Sequence, residues 1–195
     1  MNNLSITDIK SILSKSLKEE RFYHSLSVNA VAASLAMRYG ADVKKAELAG
    51  LIHDCAKAYP SDCFIQMADD FGIELLEVER DNPQLIHAKL GAYYAKKDFG
   101  VYDDEILNAI IYHTTGRPNM CLLEKIIYIA DYIEPARYKA KRLDEVRTAA
   151  FEDLDKCLDM ILSDTVEHLI EKKYVINPIT LETYKYYSKS KKENE

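Results

Sequence analysis

The sequence predicts an all-α protein. Three observations carry this. Apolar residues recur at helical spacing through most of the chain, glycine and proline stand between the periodic stretches, and no stretch shows the apolar–polar alternation of a half-buried strand. No internal repeat or low-complexity linker is visible in the 195 residues, a length that suits one domain with a sizeable core. Residues 1–187 therefore read as a single domain, and SKSKKENE (188–195) reads as a frayed tail.

The elements follow in order. Residues 6–19 predict a first helix, with Thr7 or Ser5 as its N-cap. Residues 21–39 predict a second, with Leu26, Val28, Val31, Ala32, Leu35 and Met37 as its apolar face and Gly40 as its stop. A third spans 42–57, capped by Asp42 and broken by Tyr59-Pro60-Ser61. Short helices are expected near 61–71 and 73–79, then a loop, RDNPQ, over 80–84. Residues 85–97 predict a helix ended by Phe99-Gly100, and 103–112 another. The loop TTGRPNM follows, with Gly116 and Pro118 as turn residues. Residues 121–133 are strongly apolar and predict a buried helix that ends before Pro135. One long helix or two cover 143–173, and 174–187 is rich in tyrosine.

Composition narrows the function. Hydrophobic residues make up 48% and charged residues 30%, the balance of a soluble globular protein. A net charge of −6 argues against a general nucleic-acid binder, which needs a basic face to displace counterions. A small anionic substrate needs only a few local cations. The amphipathic start MNNLSITDIKSIL has no signal-peptide core, and no apolar run approaches the ~20 residues of a membrane span. A cytoplasmic location and no membrane partner are expected. Cys55, Cys63, Cys121 and Cys157 form no CxxC pair, so they read as free thiols in a reducing compartment rather than a thiolate zinc site.

The histidines carry the chemistry. His24 lies inside the second predicted helix, His53 and Asp54 are adjacent near the end of the third, and Asp131 sits among Ile126, Ile127, Ile129 and Ile133. A carboxylate in such a stretch is expected to be buried, and burial without a partner costs several kcal/mol. It requires a cation, a metal or a dense set of hydrogen bonds; pairing with arginine or a cap role is the ordinary alternative. A lone His-Asp dipeptide means little. The order His, His-Asp, Asp, each on its own predicted helix, is far more specific, and its imidazole and carboxylate donors suit iron, manganese, zinc or nickel. His24, His53, Asp54 and Asp131 are the expected ligands of a divalent ion.

This order resembles the HD phosphohydrolase superfamily, an all-α helical bundle. More narrowly, ERFYHSLSV, AGLIHDCAK, NPQLIHAKLGA, IYHTTGRPNM and LLEKIIYIADYIEPAR are similar to the YqeK-type family of symmetrical bis(5′-nucleosyl)-tetraphosphatases. The resemblance implies an iron-dependent enzyme that splits diadenosine tetraphosphate into two ADP, by attack of a metal-activated water on an inner phosphate. It implies that His87 and His113 meet the substrate phosphates, although comparable residues hold a second metal in some HD proteins. His168, in a late charged stretch, reads as a surface residue.

A tetraphosphate carries about four negative charges that need partners. Lys57 follows Asp54 by three residues, Arg21 precedes His24 by three, Arg117 stands beside His113, and Arg137 follows Asp131. Any one of them alone reads as a solvated surface charge; together, beside the metal positions, they read as phosphate partners. Thr114, Thr115 and Gly116 are candidates for hydroxyl and backbone N–H donors, or form an ordinary loop. Tyr174, Tyr184, Tyr186 and Tyr187 either pack or stack on a base. Asp54 or Asp131 would orient the attacking water, with Lys57 beside it. Two other functions compete: a nucleotidase or nucleoside-triphosphate hydrolase of the same superfamily, and a non-catalytic metal- or nucleotide-binding regulatory module. A homodimer is possible through an exposed apolar helix face that the sequence does not locate.

Overall fold

Ser5 opens the first helix, α1 (Ile6–Ser16), with a reciprocal cap. Its hydroxyl oxygen accepts from the Asp8 N–H while the Asp8 carboxylate accepts from the Ser5 N–H. The computed structural model describes residues 4–189; the stretch 190–195, most of the expected tail, lies outside the described residues. Helix α2 (Glu19–Tyr39) stops at Gly40, whose φ of 72° is the left-handed conformation that closes helices. Asp42 caps α3 (Val43–Ile52) by accepting from the Lys44 and Lys45 N–H groups.

The helix expected over 42–57 ends early, at Ile52. His53 keeps helical angles, Asp54 leaves them at φ −106° and ψ 15°, and Cys55–Ala58 continues as a 3-10 turn. After the expected break at Pro60, a 3-10 turn over Ser61–Cys63 runs into α4 (Phe64–Asp70). The next helix, expected over 73–79, is instead α5 (Glu77–Asp81), because Glu79 folds back to accept the Leu76 N–H and fixes the start there. The expected 80–84 loop therefore holds the end of α5 and the start of a 3-10 turn over Pro83–Ile86.

Helix α6 (His87–Phe99) ends at Gly100, and α7 (Asp104–Ile111) is capped by Asp103. Then come α8 (Leu122–Ile133), α9 (Leu143–Glu152), α10 (Leu154–Glu171) and α11 (Pro178–Lys189). Asp153 splits 143–173 into two: its extended backbone ends α9, and its carboxylate accepts from the Asp155 and Lys156 N–H groups to start α10. The tyrosine-rich segment is largely helix α11, which also takes in Ser188 and Lys189. Among the described residues there is no strand, so the all-α expectation holds.

Helix α8 is the axis of the core. Ile126, Ile127, Ile129 and Ala130 are fully buried, and α2, α3, α7 and α10 pack around them. Each such isoleucine contributes roughly 1.5–3 kcal/mol by leaving water. Two glycines set how closely the neighbours approach. A Cβ on Gly50 would lie 3.1 Å from the Asn29 Cα, so α3 sits directly on the backbone of α2. A Cβ on Gly91 would lie 3.1 Å from the His53 carbonyl oxygen, so α6 lies against the end of α3. Arg147 of α9 donates to the carbonyls of Ile133, Glu134 and Arg137, satisfying acceptors that the end of α8 leaves open. These contacts bring the ends of α3 and α8 and the middle of α2 to one place.

Candidate metal centre

Three histidines share one construction. His53 follows α3, His113 follows α7 by two residues, and His87 follows the 3-10 turn over Pro83–Ile86. The last carbonyls of a helical segment lack internal partners. In each case the histidine Nδ1 takes the carbonyl three residues back: Gly50 O at 2.7 Å, Ile110 O at 2.7 Å, and Gln84 O. A carbonyl only accepts, so Nδ1 carries a proton, and a ring that gives up its other proton to a metal presents its lone pair at Nε2. Each helix end thus aims one imidazole Nε2 into the interior. His24, in the middle of α2, has no free carbonyl behind it; its Nδ1 instead faces the buried Glu134 carboxylate, 3.5 Å from Oε1.

The lone pairs converge. His24 Nε2 lies 3.3 Å from His53 Nε2, and His87 Nε2 lies 3.1 Å from His113 Nε2. Asp54 stands between the two pairs. Its Oδ2 is 3.7 Å from His24 Nε2 and 3.5 Å from His53 Nε2, while its Oδ1 is 3.3 Å from His87 Nε2 and 3.6 Å from His113 Nε2. Asp131 Oδ1 closes the first group at 3.0 Å from His24 Nε2 and 3.9 Å from His53 Nε2. The early end of α3 makes this possible. On a continuous helix, neighbours point about 100° apart, whereas the turn at Asp54 lets both His53 and Asp54 face one centre.

The electrostatics ask for a cation. Asp54 Oδ1 is buried with no partner in hydrogen-bonding geometry, although the Lys57 ammonium lies 3.2 Å away. Burial alone would raise the Asp54 carboxyl's pKa, but the imidazoles of His53, His113 and His87 hold it well below the usual carboxylate range. Burial likewise opposes ionisation of Asp131, and the His24 and His53 imidazoles beside it, where protonated in the metal-free site, more than offset it. Burial pushes the His87 imidazole's pKa down, which favours the neutral form that can ligate. His24, His53 and Asp131 form one set with ligand atoms within 4.8 Å of one another, and His53, Asp54 and His113 form a second. Imidazole and carboxylate donors of this kind fit a divalent metal.

The other expected site residues fall into two groups. Arg21 Nη1 donates to Asp54 Oδ2 at 2.7 Å, Lys57 pairs with Asp54 Oδ1, and Arg137 Nη2 lies 3.5 Å from Asp131 Oδ1 while donating to the Asp131 carbonyl at 2.9 Å. These three cations join the cluster. His87 and His113, expected at the phosphates, face Asp54 directly.

Arg117 turns elsewhere, to a bidentate pair with the buried Glu124 of α8. The Gly116 N–H, a candidate phosphate donor, is taken by the Tyr112 carbonyl at 2.8 Å. The Thr115 hydroxyl donates to the Gly116 carbonyl, and Thr114 is half-buried. Arg117 and Gly116, expected at the substrate, are thus engaged within their own loop in this structure. Tyr187 is buried and its hydroxyl accepts from the Met120 N–H, a packing role, while Tyr174 and Tyr186 are exposed. Glu134 was not legible as a site residue, although its place three residues after Asp131 puts it on the same helix face.

An all-helical bundle that gathers His, His-Asp and Asp in this way defines a class. Residues 21–136 match the HD domain, and the chain belongs to that family. Within it, the chain falls among the symmetrical bis(5′-nucleosyl)-tetraphosphatases. It is 44% identical over 172 residues to the protein of that name in Bacillus subtilis, covering 87% of this chain and 90% of the relative. It is 36% identical over 191 residues to the one in Staphylococcus aureus, covering 96% of each. A crystal structure from Clostridium acetobutylicum, described as a predicted HD superfamily hydrolase involved in NAD metabolism, superposes with a TM-score of 0.92 at 44% identity, covering 97% of this chain and 100% of that one.

Proposed function

We propose that the chain hydrolyses diadenosine tetraphosphate, and dinucleoside polyphosphates like it, symmetrically to two nucleoside diphosphates. The single observation that carries this is the convergence of His24, His53, Asp54 and Asp131, with three cations at its edge, in a chain 44% identical to a tetraphosphatase. His24, His53, Asp54 Oδ2 and Asp131 would hold one divalent ion. A second ion, held by Asp54 Oδ1 with His87 and His113, is favoured by the 3.1 Å approach of those two Nε2 atoms. Among divalent metals we propose iron, with manganese as a functional substitute, because mixed nitrogen and oxygen donors suit both. A divalent ion in such a site supplies positive charge to phosphate oxygens and makes water acidic enough to lose a proton near neutral pH.

The chain's own residues do the rest. Arg21, Lys57 and Arg137 hold the phosphates and neutralise charge as it develops, the largest contribution proteins make to phosphoryl transfer. Asp131 is the carboxylate with access to water, its side chain 22% exposed against 1% for Asp54. With His24 and Arg137 at its Oδ1, it orients the attacking water by accepting a hydrogen bond. Asp54 stays buried and binds. The leaving nucleoside diphosphate needs no strong general acid.

The substrate is a small nucleotide rather than nucleic acid or a membrane, which the net charge of −6 supports. We place the activity in the cytoplasm, where four free cysteines are at home. Pairing of two chains belongs to the same expectation, and the chemistry needs only one. Incubating the protein with diadenosine tetraphosphate and iron or manganese tests the proposal. Two ADP per substrate is the expected product; ATP with AMP, or adenosine with phosphate, would overturn it.

A further inference from the structure

Symmetrical cleavage imposes a demand of its own. The bond broken lies at the midpoint of the substrate, so the same group, a nucleoside diphosphate, extends on either side of it. A centre that engages the midpoint needs room for one arm in each direction.

The structure has two cation-bearing cavities whose lining cations pair with different carboxylates of the centre. One, of about 680 Å³, is lined by Lys18, Arg21, Lys57, Tyr59, Ser61 and Gln84. It touches the centre at Asp54, through Arg21 Nη1 at 2.7 Å and Lys57 Nζ at 3.2 Å. The other, of about 250 Å³, is lined by Tyr132, Arg137, Lys139, Lys141 and His168, and by Asp164, whose carboxylate is paired with Arg142. It touches the centre at Asp131, through Arg137 at 3.5 Å. The first lies within the range of small-ligand pockets, roughly 300–1,000 Å³, and the second just below it.

Between the two runs one line of contacts: Arg21 to Asp54, Asp54 to His24 at 3.7 Å, His24 to Asp131 at 3.0 Å, and Asp131 to Arg137. Arginines therefore stand at both ends of the ligand set. Arg21 uses only Nη1 on Asp54, which leaves Nε and Nη2 for phosphate oxygens. In the first cavity Tyr59 is stacked on Tyr94, with ring centroids 4.8 Å apart and an interplanar angle of 19°, yet it remains 41% exposed. Its outer face is a preformed platform for a base. In the second, Lys139 and His168 are exposed beside Arg137.

We propose that the two cavities are the two arms' binding sites. One nucleoside diphosphate lies along Arg21 and Lys57 with its base on Tyr59, and the other lies along Arg137 and Lys139. This rests on the tetraphosphatase reading and adds where the substrate lies.

Equilibrium dialysis of labelled ADP against the manganese-loaded protein tests it, together with kinetics on diadenosine tetraphosphate. Two ADP per chain are expected, one of them bound about tenfold more weakly in the double variant Lys18→Ala/Tyr59→Ala and likewise one in Lys139→Glu. Both variants are also expected to raise KM about tenfold, the loss of one charge-assisted contact or stacking partner. All three positions are on the surface, and an unchanged Tm confirms that the variants fold. A protein that cleaves the dinucleotide but binds one ADP, or a Lys139→Glu variant with unchanged affinity for both ADP and unchanged KM, overturns the two-arm arrangement and spares the tetraphosphatase reading. Two ADP bound by a protein that leaves the dinucleotide intact does the reverse.

Discussion

Glu134 stands behind His24, its Oε1 3.5 Å from His24 Nδ1, and its Oε2 accepts the Ala136 N–H at 2.7 Å. The other three histidines of the cluster rest on backbone carbonyls; this one rests on a carboxylate. A carboxylate behind a ligating imidazole fixes its tautomer and raises its basicity, and removing such a partner costs roughly 10- to 100-fold in metal affinity. Glu134→Gln is therefore expected to weaken manganese binding by about that factor, with the apo-protein's Tm nearly unchanged because the amide oxygen can still accept the Ala136 N–H. A competition titration against a chelator measures the affinity. Equal affinity in variant and parent would remove Glu134 from the site.

Arg117 and Glu124 hold the loop before α8. Glu124 is fully buried, and its Oε2 also accepts the Cys121 N–H at 2.9 Å to cap the helix. Arg117→Ala leaves that carboxylate without its cation. The expected cost is about 3 kcal/mol, the low end for breaking a buried pair, because the guanidinium is 37% exposed and water reaches it. Urea unfolding of the apo-protein measures the loss. Manganese affinity should stay at the parent value; a stable variant with a raised KM for substrate would instead restore Arg117 to the phosphates.

Gly116 is required twice over. Its φ is +61°, and a Cβ there would lie 2.7 Å from Thr183 Cγ2 on α11. Gly116→Ala should destabilise through the left-handed backbone, about 1–2 kcal/mol, and through the clash. Thr183→Ser removes the clashing methyl. In that background the same glycine substitution is expected to cost only the backbone share, and a double-mutant cycle in urea reads the difference. Equal cost in both backgrounds would show that α11 does not press on this loop.

The convergence of His24, His53, Asp54 and Asp131 was legible because two sequence features point to it. Asp131 lies in a run of buried isoleucines, although it is itself half-buried rather than buried as expected, and His53-Asp54 closes an apolar helix. The end of α3 was not legible, since Cys55 and Ala56 continue the apolar pattern and only the turn at Asp54 interrupts it. Glu134 was hidden because a glutamate before a proline reads as a solvated helix end, and its burial depends on α2 crossing above it. The pairing of Arg117 with Glu124 was not legible because that partner, seven residues on, is buried by the packing of α8 rather than by any local pattern.

Asp54 is the residue on which both histidine pairs converge, so its replacement is the most direct test. Asp54→Ala, loaded with iron or manganese alongside the parent protein, is assayed for bound metal and for ADP released from diadenosine tetraphosphate. Loss of an ion that contributes several kcal/mol of stabilisation to the transition state predicts a fall in turnover of about a hundredfold or more, together with loss of bound metal. Full metal content and undiminished turnover in the variant would contradict a catalytic metal at this centre.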